Sequence, residues 1–569
     1  MLPHLTTIFF TFIVAFIISM MGLLFSKKLG SFVEVALVVA YISFLFKFFS
    51  FQEAIFLFTI AATTYAYAEP LFNRSRYEIY QKLVERLQET TYVEINQTKK
   101  ASRLIIDFIL TVFVMAGSII FLLFAPETYA LLKFFIILAF IAILVKTIER
   151  TSNFVSSTIY WLPGEEKLVI LTRFQPREYP LSDLKRLDIE TSPDLLRLHP
   201  LFTFLSATVD CTSSFQRVLK LSFPGEHLYL TPDDIEKWSH KFRDFAPKAT
   251  EQKVKEVRPL WHPTVLKRLL WKGYFAIAVK GISAYTGLVF LLIWLDAPVW
   301  VVVLSVIMWW VFNLYISDRV LIAATDARRV TEGEMFIRAR EIFRRANIKN
   351  AELYMTDSPI YNGFATGMNI GRGTIIITSA TLELPMQAVE AIIAHETIHV
   401  KKRDVLTIQF ARILFLGVLA SSVYLFYDTI VLLADHPFVL VTFIYMLFLL
   451  FPIYLSFISQ WAEGRADNLG ATLLAKGRQQ MADGLRELAI QSEKAFEKTR
   501  EYQATTVKKN NYRSELERQN WFYRLIEFQF QAHPPMYWRI YSLETYRSWT
   551  EARKHWMLAR ITESLPSFN

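Results

Sequence analysis

The sequence is poor in cysteine and in charge. It has one cysteine, Cys211, in 569 residues, and 20% of its residues are charged. One cysteine excludes a disulfide framework and a zinc site made of several thiolates, so histidines and carboxylates remain as ligands for any metal. Because 53% of the residues are hydrophobic and the mean hydropathy is +0.29, the composition argues against a purely soluble protein.

Long apolar segments account for much of that composition. About nine stretches of roughly 18 or more mostly apolar residues are long enough to cross a bilayer as helices. The first has no Lys or Arg before it and no small-residue cleavage site after it, so we expect a retained anchor rather than a signal peptide. The predicted spans are 8–25, 32–49, 54–72, 104–124, 129–145, 274–295, 299–316, 408–427 and 430–457.

The positive charge follows these spans. The chain has 62 Lys and Arg against 52 Asp and Glu, and the basic residues lie in alternate loops, whereas the loops between them carry acidic residues and no Lys or Arg. Basic loops stay in the cytoplasm, so the N-terminus is predicted outside and the segments 73–103, 146–273, 317–407 and 458–569 inside. Membrane topology therefore explains the charge better than nucleic-acid binding does.

A β-rich pattern occupies residues 147–273. Strands are predicted at 161–174, 178–189, 203–209 and 218–230, with Pro-Gly turns at 163–164 and 224–225 and a closing helix at 232–242. The pattern resembles a small pleckstrin-homology-like domain. The residues leave open whether it binds lipid or only packs on the catalytic part. Residues 75–100 have helical periodicity, which predicts a cytoplasmic helix or hairpin.

The sequence HETIH at 395–399 is the most informative motif. It lies in a segment with helical spacing of apolar residues, so His395 and His399 are one turn apart on one helix face. Two such imidazoles can bind one zinc, with Glu396 beside them as general base. The alternative is a helix end that carries these histidines by chance.

A second acidic motif follows the ninth span. A hydrolytic zinc needs a third protein ligand and an open position for water. Glu463 and Asp467 are again four residues apart on a predicted helix, so Glu463 can bind the metal while Asp467 hydrogen-bonds a ligand histidine. A hairpin of spans eight and nine would bring the two helices together at the cytoplasmic surface. An ordinary exposed acidic pair is the alternative reading.

Together these motifs resemble the HtpX-like membrane zinc metalloproteases, relatives of the zinc CAAX prenyl endopeptidases. The shared elements are HETIH, a two-span hairpin, ExxAD, the segment YNGFATG with the strand GTIIIT, and AHPP followed by Arg539. The resemblance covers residues 274 to 545. The chain departs from the family at Gln460 and Ala462, where basic residues are typical, which puts any salt bridge from those positions in doubt.

The resemblance implies roles for single residues. One Zn²⁺ per chain would be bound by His395, His399 and Glu463, with Glu396 as the base. Asn362 and His533 would contact the substrate or the oxyanion, although His533 equally suits a structural turn that caps a helix. Asp467 and Arg539 would support the ligands and the HPP turn. The strand 373–378 would be the edge strand that pairs with an extended substrate.

The predicted fold class is an α-helical polytopic membrane protein. It has a cytoplasmic, mainly α zincin-type metalloprotease domain with a small edge sheet, and a small β-rich domain. The predicted function is a membrane zinc metalloendopeptidase that cleaves misfolded or membrane proteins; a CAAX-type processing protease and a non-catalytic scaffold or sensor are the alternatives. Expected partners are protein or peptide substrates and the lipid bilayer, and no nucleic acid. The predicted domains are 1–146, 147–273, 274–317 and 318–569, the last with a membrane hairpin at 408–457.

The predicted topology can be tested by cysteine labelling. In a Cys211→Ser background, Asp435→Cys should react with an impermeant maleimide on intact cells, because it lies in a predicted external loop. The matched variant Lys100→Cys should react only after permeabilisation. The reverse pattern would overturn the orientation.

Overall fold

The structure is a computed structural model. It describes residues 3–25, 27–72, 74–125, 130–173, 175–190, 202–205, 207–214, 217–246, 248–249, 262–280, 297–367, 372–434, 437–503 and 514–566.

Long apolar helices make up most of the N-terminal region. Helices α1 and α3 pack along each other, and α6 joins them through Leu57 and Ile141, which are both buried. α4 is amphipathic instead: Leu83 and Leu87 are buried against the β-rich domain. The helices are α1 (Leu5–Leu24), α2 (Lys27–Phe48), α3 (Phe51–Phe72), α4 (Arg74–Glu89), α5 (Ser102–Phe124) and α6 (Ala130–Ser156).

Among the described residues, three helices are long and apolar enough to cross a membrane. They are Leu29–Phe48, Val299–Ala324 and Asp404–Ser422, and two shorter apolar helices are Thr6–Met21 and Thr111–Phe124. The chain therefore has several apolar helices, and the number nine stays a prediction. Most of the predicted sixth span, 274–295, lies outside the described residues.

The β-rich domain consists of two sheets and a helix. The strand orders are β1-β2-β3-β4 and β6-β8-β7-β5-β9, and the side chains between them form one buried core. The segment before α5 contributes β1, and Ile95 beside it is buried in that core. The elements are β1 (Val93–Glu94), β2 (Thr158–Leu162), β3 (Lys167–Leu171), β4 (Arg177–Pro180), β5 (Arg186–Glu190), β6 (Thr208–Cys211), β7 (Val218–Phe223), β8 (Glu226–Leu230), α7 (Ile235–Arg243) and β9 (Lys248–Ala249).

A second membrane-associated region and a small sheet follow. Helix α8 (Pro263–Tyr274) leads to α9 (Val299–Ala324), and α10 (Glu334–Arg345) covers the sheet. The sheet has the order β10-β11-β13-β12, with β11 and β13 parallel and the other pairs antiparallel. Its strands are β10 (Arg328–Arg329), β11 (Ala351–Thr356), β12 (Gly363–Thr366) and β13 (Gly373–Thr378).

The sheet corrects the predicted edge strand. β13, residues 373–378, lies between β11 and β12, and all six of its residues are buried. A run of three isoleucines is typical of a strand that is covered on both faces. The polar residues at the ends of the strand made it resemble a half-exposed strand in the sequence. The edge strand is β12, and no other strand pairs with its outer side in the part of the chain that the structure describes.

The remaining helices form the C-terminal domain. α11 ends at Lys402, and the next residue, Arg403, has a left-handed backbone (φ 55°) that turns the chain directly into the apolar helix α12. α14 returns and runs on beyond its apolar part to pack against α11. The helices are α11 (Met386–Lys402), α12 (Asp404–Leu425), α13 (Tyr427–Ala434), α14 (Pro437–Ala471), α15 (Gly477–Tyr502), α16 (Trp521–Phe530), α17 (Met536–Thr545) and α18 (Trp549–Thr562).

The β-rich domain packs on this C-terminal domain. Tyr502, the last residue of α15, is fully buried in the β-rich core, and its hydroxyl donates a 3.0 Å hydrogen bond to Asp183. The fully buried ammonium of Lys220 pairs with Asp357, six residues before the edge strand β12 begins at Gly363. The two domains are thus joined by shared core as well as by ion pairs.

The shared core predicts the effect of truncating Tyr502. Tyr502→Ala should lower the free energy of unfolding by about 3–5 kcal/mol, as for other buried aromatic side chains, and lower Tm. Phe496→Ala on the same helix removes a ring that is 51% exposed and should change Tm little. Thermal unfolding is measured by tryptophan fluorescence. Equal Tm values for the two variants would contradict the shared core.

Candidate metal centre

Helix α11 carries the two histidines into the core. From Ala391 to Ile398 every residue is buried, so the helix is enclosed on all sides at this point. His395 and His399 lie one turn apart, and their Nε2 atoms are 2.9 Å from each other. The two rings therefore point at one common position.

Glu463 of α14 reaches the same position. Its Oε1 lies 3.3 Å from Nε2 of His399, and its Oε2 lies 3.4 Å from Nε2 of His395. The three potential ligand atoms all lie within 4.8 Å of one another. The packing of α14 on α11 thus brings together residues more than 60 positions apart in the sequence.

A carboxylate fixes the other nitrogen of each histidine. Nδ1 of His395 lies 2.8 Å from Asp467, and Nδ1 of His399 lies 2.8 Å from Asp404. An ionised carboxylate only accepts hydrogen bonds, so each Nδ1 carries the proton. When the imidazoles are neutral, each Nε2 atom then carries a free lone pair, as in histidines that bind a metal.

These residues fit a divalent metal ion. Two Nε2 lone pairs only 2.9 Å apart repel each other unless a proton or a metal ion lies between them. Both carboxylate oxygens of Glu463 face these nitrogens, at 3.3 and 3.4 Å. Two imidazoles and one carboxylate with further room for water are the donor set of a catalytic zinc site. Two imidazole nitrogens and one carboxylate thus converge where a zinc ion would bind.

The pKa values show how strongly the cluster attracts positive charge. Burial alone would lower the pKa of His395, but Asp467 and Glu463 outweigh it and raise the pKa to about 9. The pKa of His399 is likewise raised, by Glu463 and Asp404 against burial. Burial would raise the pKa of Glu463, but His533 and His399 hold it well below its usual range.

Arginines support the two outer carboxylates. Arg539 of α17 donates two hydrogen bonds to Asp467, at 2.8 and 2.7 Å, and this guanidinium lowers the pKa of that carboxyl against the effect of burial. Arg465 of α14 pairs with Asp404. Arg539, predicted as an ion-pair partner that fixes the HPP turn, thus pairs with the carboxylate that orients His395.

Glu396 faces the edge strand. It is 7% exposed, and a Cβ built on Gly363 at the start of β12 would lie 3.6 Å from its Cγ and 3.8 Å from its Oε1. The same Cβ would come within 2.9 Å of Ile392. Glycine at position 363 therefore lets β12 lie against α11 beside Glu396.

The two remaining predicted residues are His533 and Asn362. The exposed His533 has its Nδ1 2.9 Å from Oε2 of Glu463. Asn362 directly precedes Gly363, and its backbone N–H donates to Thr381 at 2.8 Å, which anchors the beginning of β12. Asn362 is thus connected to the cluster only through its neighbour Gly363, which packs beside Glu396.

Gln460 has a structural role at its atypical position. It is fully buried, and its amide donates to the carbonyl oxygens of Glu527 at 2.8 Å and Gln531 at 2.9 Å. Its Oε1 accepts a 3.0 Å hydrogen bond from Arg560 of α18. Gln460 therefore fixes the chain that leads to His533. The positive charge beside this position is the guanidinium of Arg560.

Asp404 is the functional residue that the sequence analysis missed. It lies five residues after His399, one beyond the spacing that shares a helix face, and reaches the ring only because Arg403 turns the chain. The available signal was an acidic residue at the junction of the HETIH helix and a membrane span.

Asp404→Asn tests this contact. The substitution keeps the shape but removes the charge that holds Nδ1–H of His399, so zinc affinity should fall about 10- to 100-fold. Zinc retained by the purified full chain after dialysis against graded chelator is the measurement. Asp483→Asn, at an exposed acid on α15, is the matched control. Unchanged affinity in Asp404→Asn would separate Asp404 from the metal centre.

Comparisons with known proteins agree with this geometry. Residues 331–547 match the family model for peptidase family M48, and residues 158–246 match the model for the bacterial PH domain. Proteins named Protease HtpX homolog are similar over part of the chain: 39% identity over 99 residues in Pelotomaculum thermopropionicum, 35% over 100 residues in Nostoc punctiforme and 30% over 103 residues in Aquifex aeolicus.

These alignments are local. Each covers 17% of this chain, and the chain spans about a third of the length of the curated relatives it matches, 35%, 35% and 34% respectively. The matched family region contains the two histidines, Glu396 and Glu463. The chain therefore contains a region similar to peptidase family M48 and to HtpX homologues, preceded by a region that matches the bacterial PH domain.

Proposed function

We propose that this chain is a membrane-bound zinc metalloendopeptidase. The observation that supports this most directly is the convergence of His395, His399 and Glu463 beside Glu396 and an open edge strand. The M48 match supports a protease, and the apolar helices support a membrane location. A purely structural metal site would not need a buried carboxylate like Glu396 beside it.

Glu396 is the general base of the proposed reaction. Zinc at this site would supply the positive charge that polarises a water molecule and the carbonyl group of the substrate. Glu396 removes a proton from the attacking water and later delivers it to the amine of the leaving peptide. Its position beside Gly363 places it next to any peptide that lies along β12.

The surrounding residues hold the groups that react. Asp467 and Asp404 keep both histidine rings in the tautomer that presents Nε2, and Arg539 keeps Asp467 ionised. His533 and Asn362 contact the substrate or the developing oxyanion, where a preorganised donor lowers the barrier. The side chain of His533 is exposed, so a substrate can reach it.

The edge strand suggests the kind of substrate. An extended chain can add to β12 through backbone hydrogen bonds, which gives affinity with little sequence preference. That mode suits unfolded or misassembled proteins. His399 lies only five residues before the apolar segment that begins at Asp404, so the site is close to the bilayer and would reach membrane proteins first. We therefore propose quality control of membrane proteins, with the catalytic domain in the cytoplasm.

Glu396→Gln tests the mechanism. The variant should bind zinc as the wild type does but cleave an unfolded model protein at least 100-fold more slowly, because the base is lost. Glu390→Gln, two turns earlier on the same helix, should keep full activity. Cleavage and zinc content of full-length protein in detergent are the measurements.

The alternatives predict other results. Equal cleavage by wild type and Glu396→Gln would contradict the mechanism. Cleavage of prenylated peptides alone would indicate a CAAX-type processing protease. Bound zinc without cleavage of any substrate would indicate a scaffold or sensor.

A further inference from the structure

The register of the sheet decides which way each residue of β12 faces. Paired residues of neighbouring strands point to the same side of a sheet. Ala365 pairs with Ile375, which belongs to the core under α11, so Ala365 and Gly363 face α11. Phe364 and Thr366 therefore face the opposite side of the sheet, away from the helix that carries the histidines.

The β-rich domain covers the first of these positions. The rings of Phe364 and Phe204 meet edge to face, with centroids 5.8 Å apart. Phe204 lies in a short segment that is anchored to the catalytic domain, because Ser358 donates a 2.7 Å hydrogen bond to the carbonyl oxygen of Leu205. Phe204 is nevertheless 39% exposed, so part of its surface is open beside the edge strand.

A cavity lies at the second position. Thr366 and Thr374 form one wall of a space of about 620 Å³, and helix α9 forms the other. Met308, Val311, Phe312 and Tyr315 line it from α9, at the spacing of a single helix face. The two charged residues in its wall, Asp318 and Arg372, pair with each other at 2.5 Å. The interior is therefore predominantly apolar.

Phe204 and the cavity lie in line along the edge strand. Residues two apart in a strand are about 6.6 Å apart on one face. A peptide added antiparallel to β12 runs from Thr366 towards Gly363, and Gly363 lies beside Glu396. The residues opposite Phe364 and Thr366 are thus on the N-terminal side of the bond to be cleaved, and their side chains are two positions apart on the face away from α11.

We propose that Phe204 and the α9 cavity form a specificity surface for apolar substrate side chains. The occupant is the substrate polypeptide itself, with apolar side chains at two alternate positions N-terminal to the cleaved bond. Apolar walls with a single neutralised ion pair favour aliphatic and aromatic groups over charged ones. This inference rests on the proposed peptidase function and assigns the β-rich domain and a membrane helix a direct part in substrate selection.

Two variants and a control test the surface. Val311→Trp fills the cavity, and Phe204→Ala removes the aromatic wall. Val303→Trp makes the same change on α9 at a residue of similar exposure, 51% against 43%, that does not line the cavity. Each is made in the full-length chain, both in the wild-type background and with Glu396→Gln.

The probes are two fluorescent peptides that share a cleavage site found with an unfolded model protein. One carries Phe at the two alternate upstream positions, and the other carries Ser there. Binding to the Glu396→Gln protein is followed by fluorescence anisotropy, and cleavage by the active protein gives kcat and KM.

Wild-type protein should bind and cleave the Phe peptide at least tenfold better than the Ser peptide. Val311→Trp and Phe204→Ala should remove most of that difference, mainly through KM and the binding constant, while Val303→Trp should preserve it. The proposal would be overturned if the wild type bound and cleaved both peptides equally well, or if Val311→Trp still preferred the Phe peptide. Binding without cleavage by the wild type would contradict the peptidase function and still report on this surface.

Discussion

The structure depends on the close approach of α11 and α14. A Cβ built on Gly470 would lie 3.2 Å from the backbone of Ala394, the residue directly before His395. Any larger residue at position 470 would push the helices apart at the level of the ligands. Because the apolar hairpin of α12, α13 and α14 connects the two ligand-bearing segments, the metal centre requires both the glycine contact and the hairpin.

Charge balance explains why the ligands and their supports occur as a set. Four carboxylates, Glu396, Asp404, Glu463 and Asp467, lie around the histidines, and two guanidiniums, Arg465 and Arg539, pair with them. When both histidines are neutral, as metal binding requires, two negative charges remain in a largely buried cluster, and burying unpaired charge is costly. A divalent cation at the convergence point balances them. Removing one member should disturb its neighbours, so single substitutions will not have additive effects.

Much of the site could be predicted from local spacing, because residues four apart share a helix face. That rule suffices for His395 with His399 and for Glu463 with Asp467. It fails for Asp404, which needs a left-handed residue before it, and for the edge strand, because the exposed side of a sheet depends on strand order. Tyr502 is a further case: nothing in the sequence of α15 shows that its last residue belongs to the core of another domain.

The central claim is that residues from both ends of a membrane hairpin bind one metal ion. X-ray absorption spectroscopy of zinc bound to the full-length protein in detergent tests it most directly. We predict one zinc per chain, with two imidazole nitrogens at about 2.0–2.1 Å and further oxygen ligands. His395→Ala should leave a single imidazole or abolish binding. Substoichiometric zinc, or a shell without two imidazoles, would contradict the account.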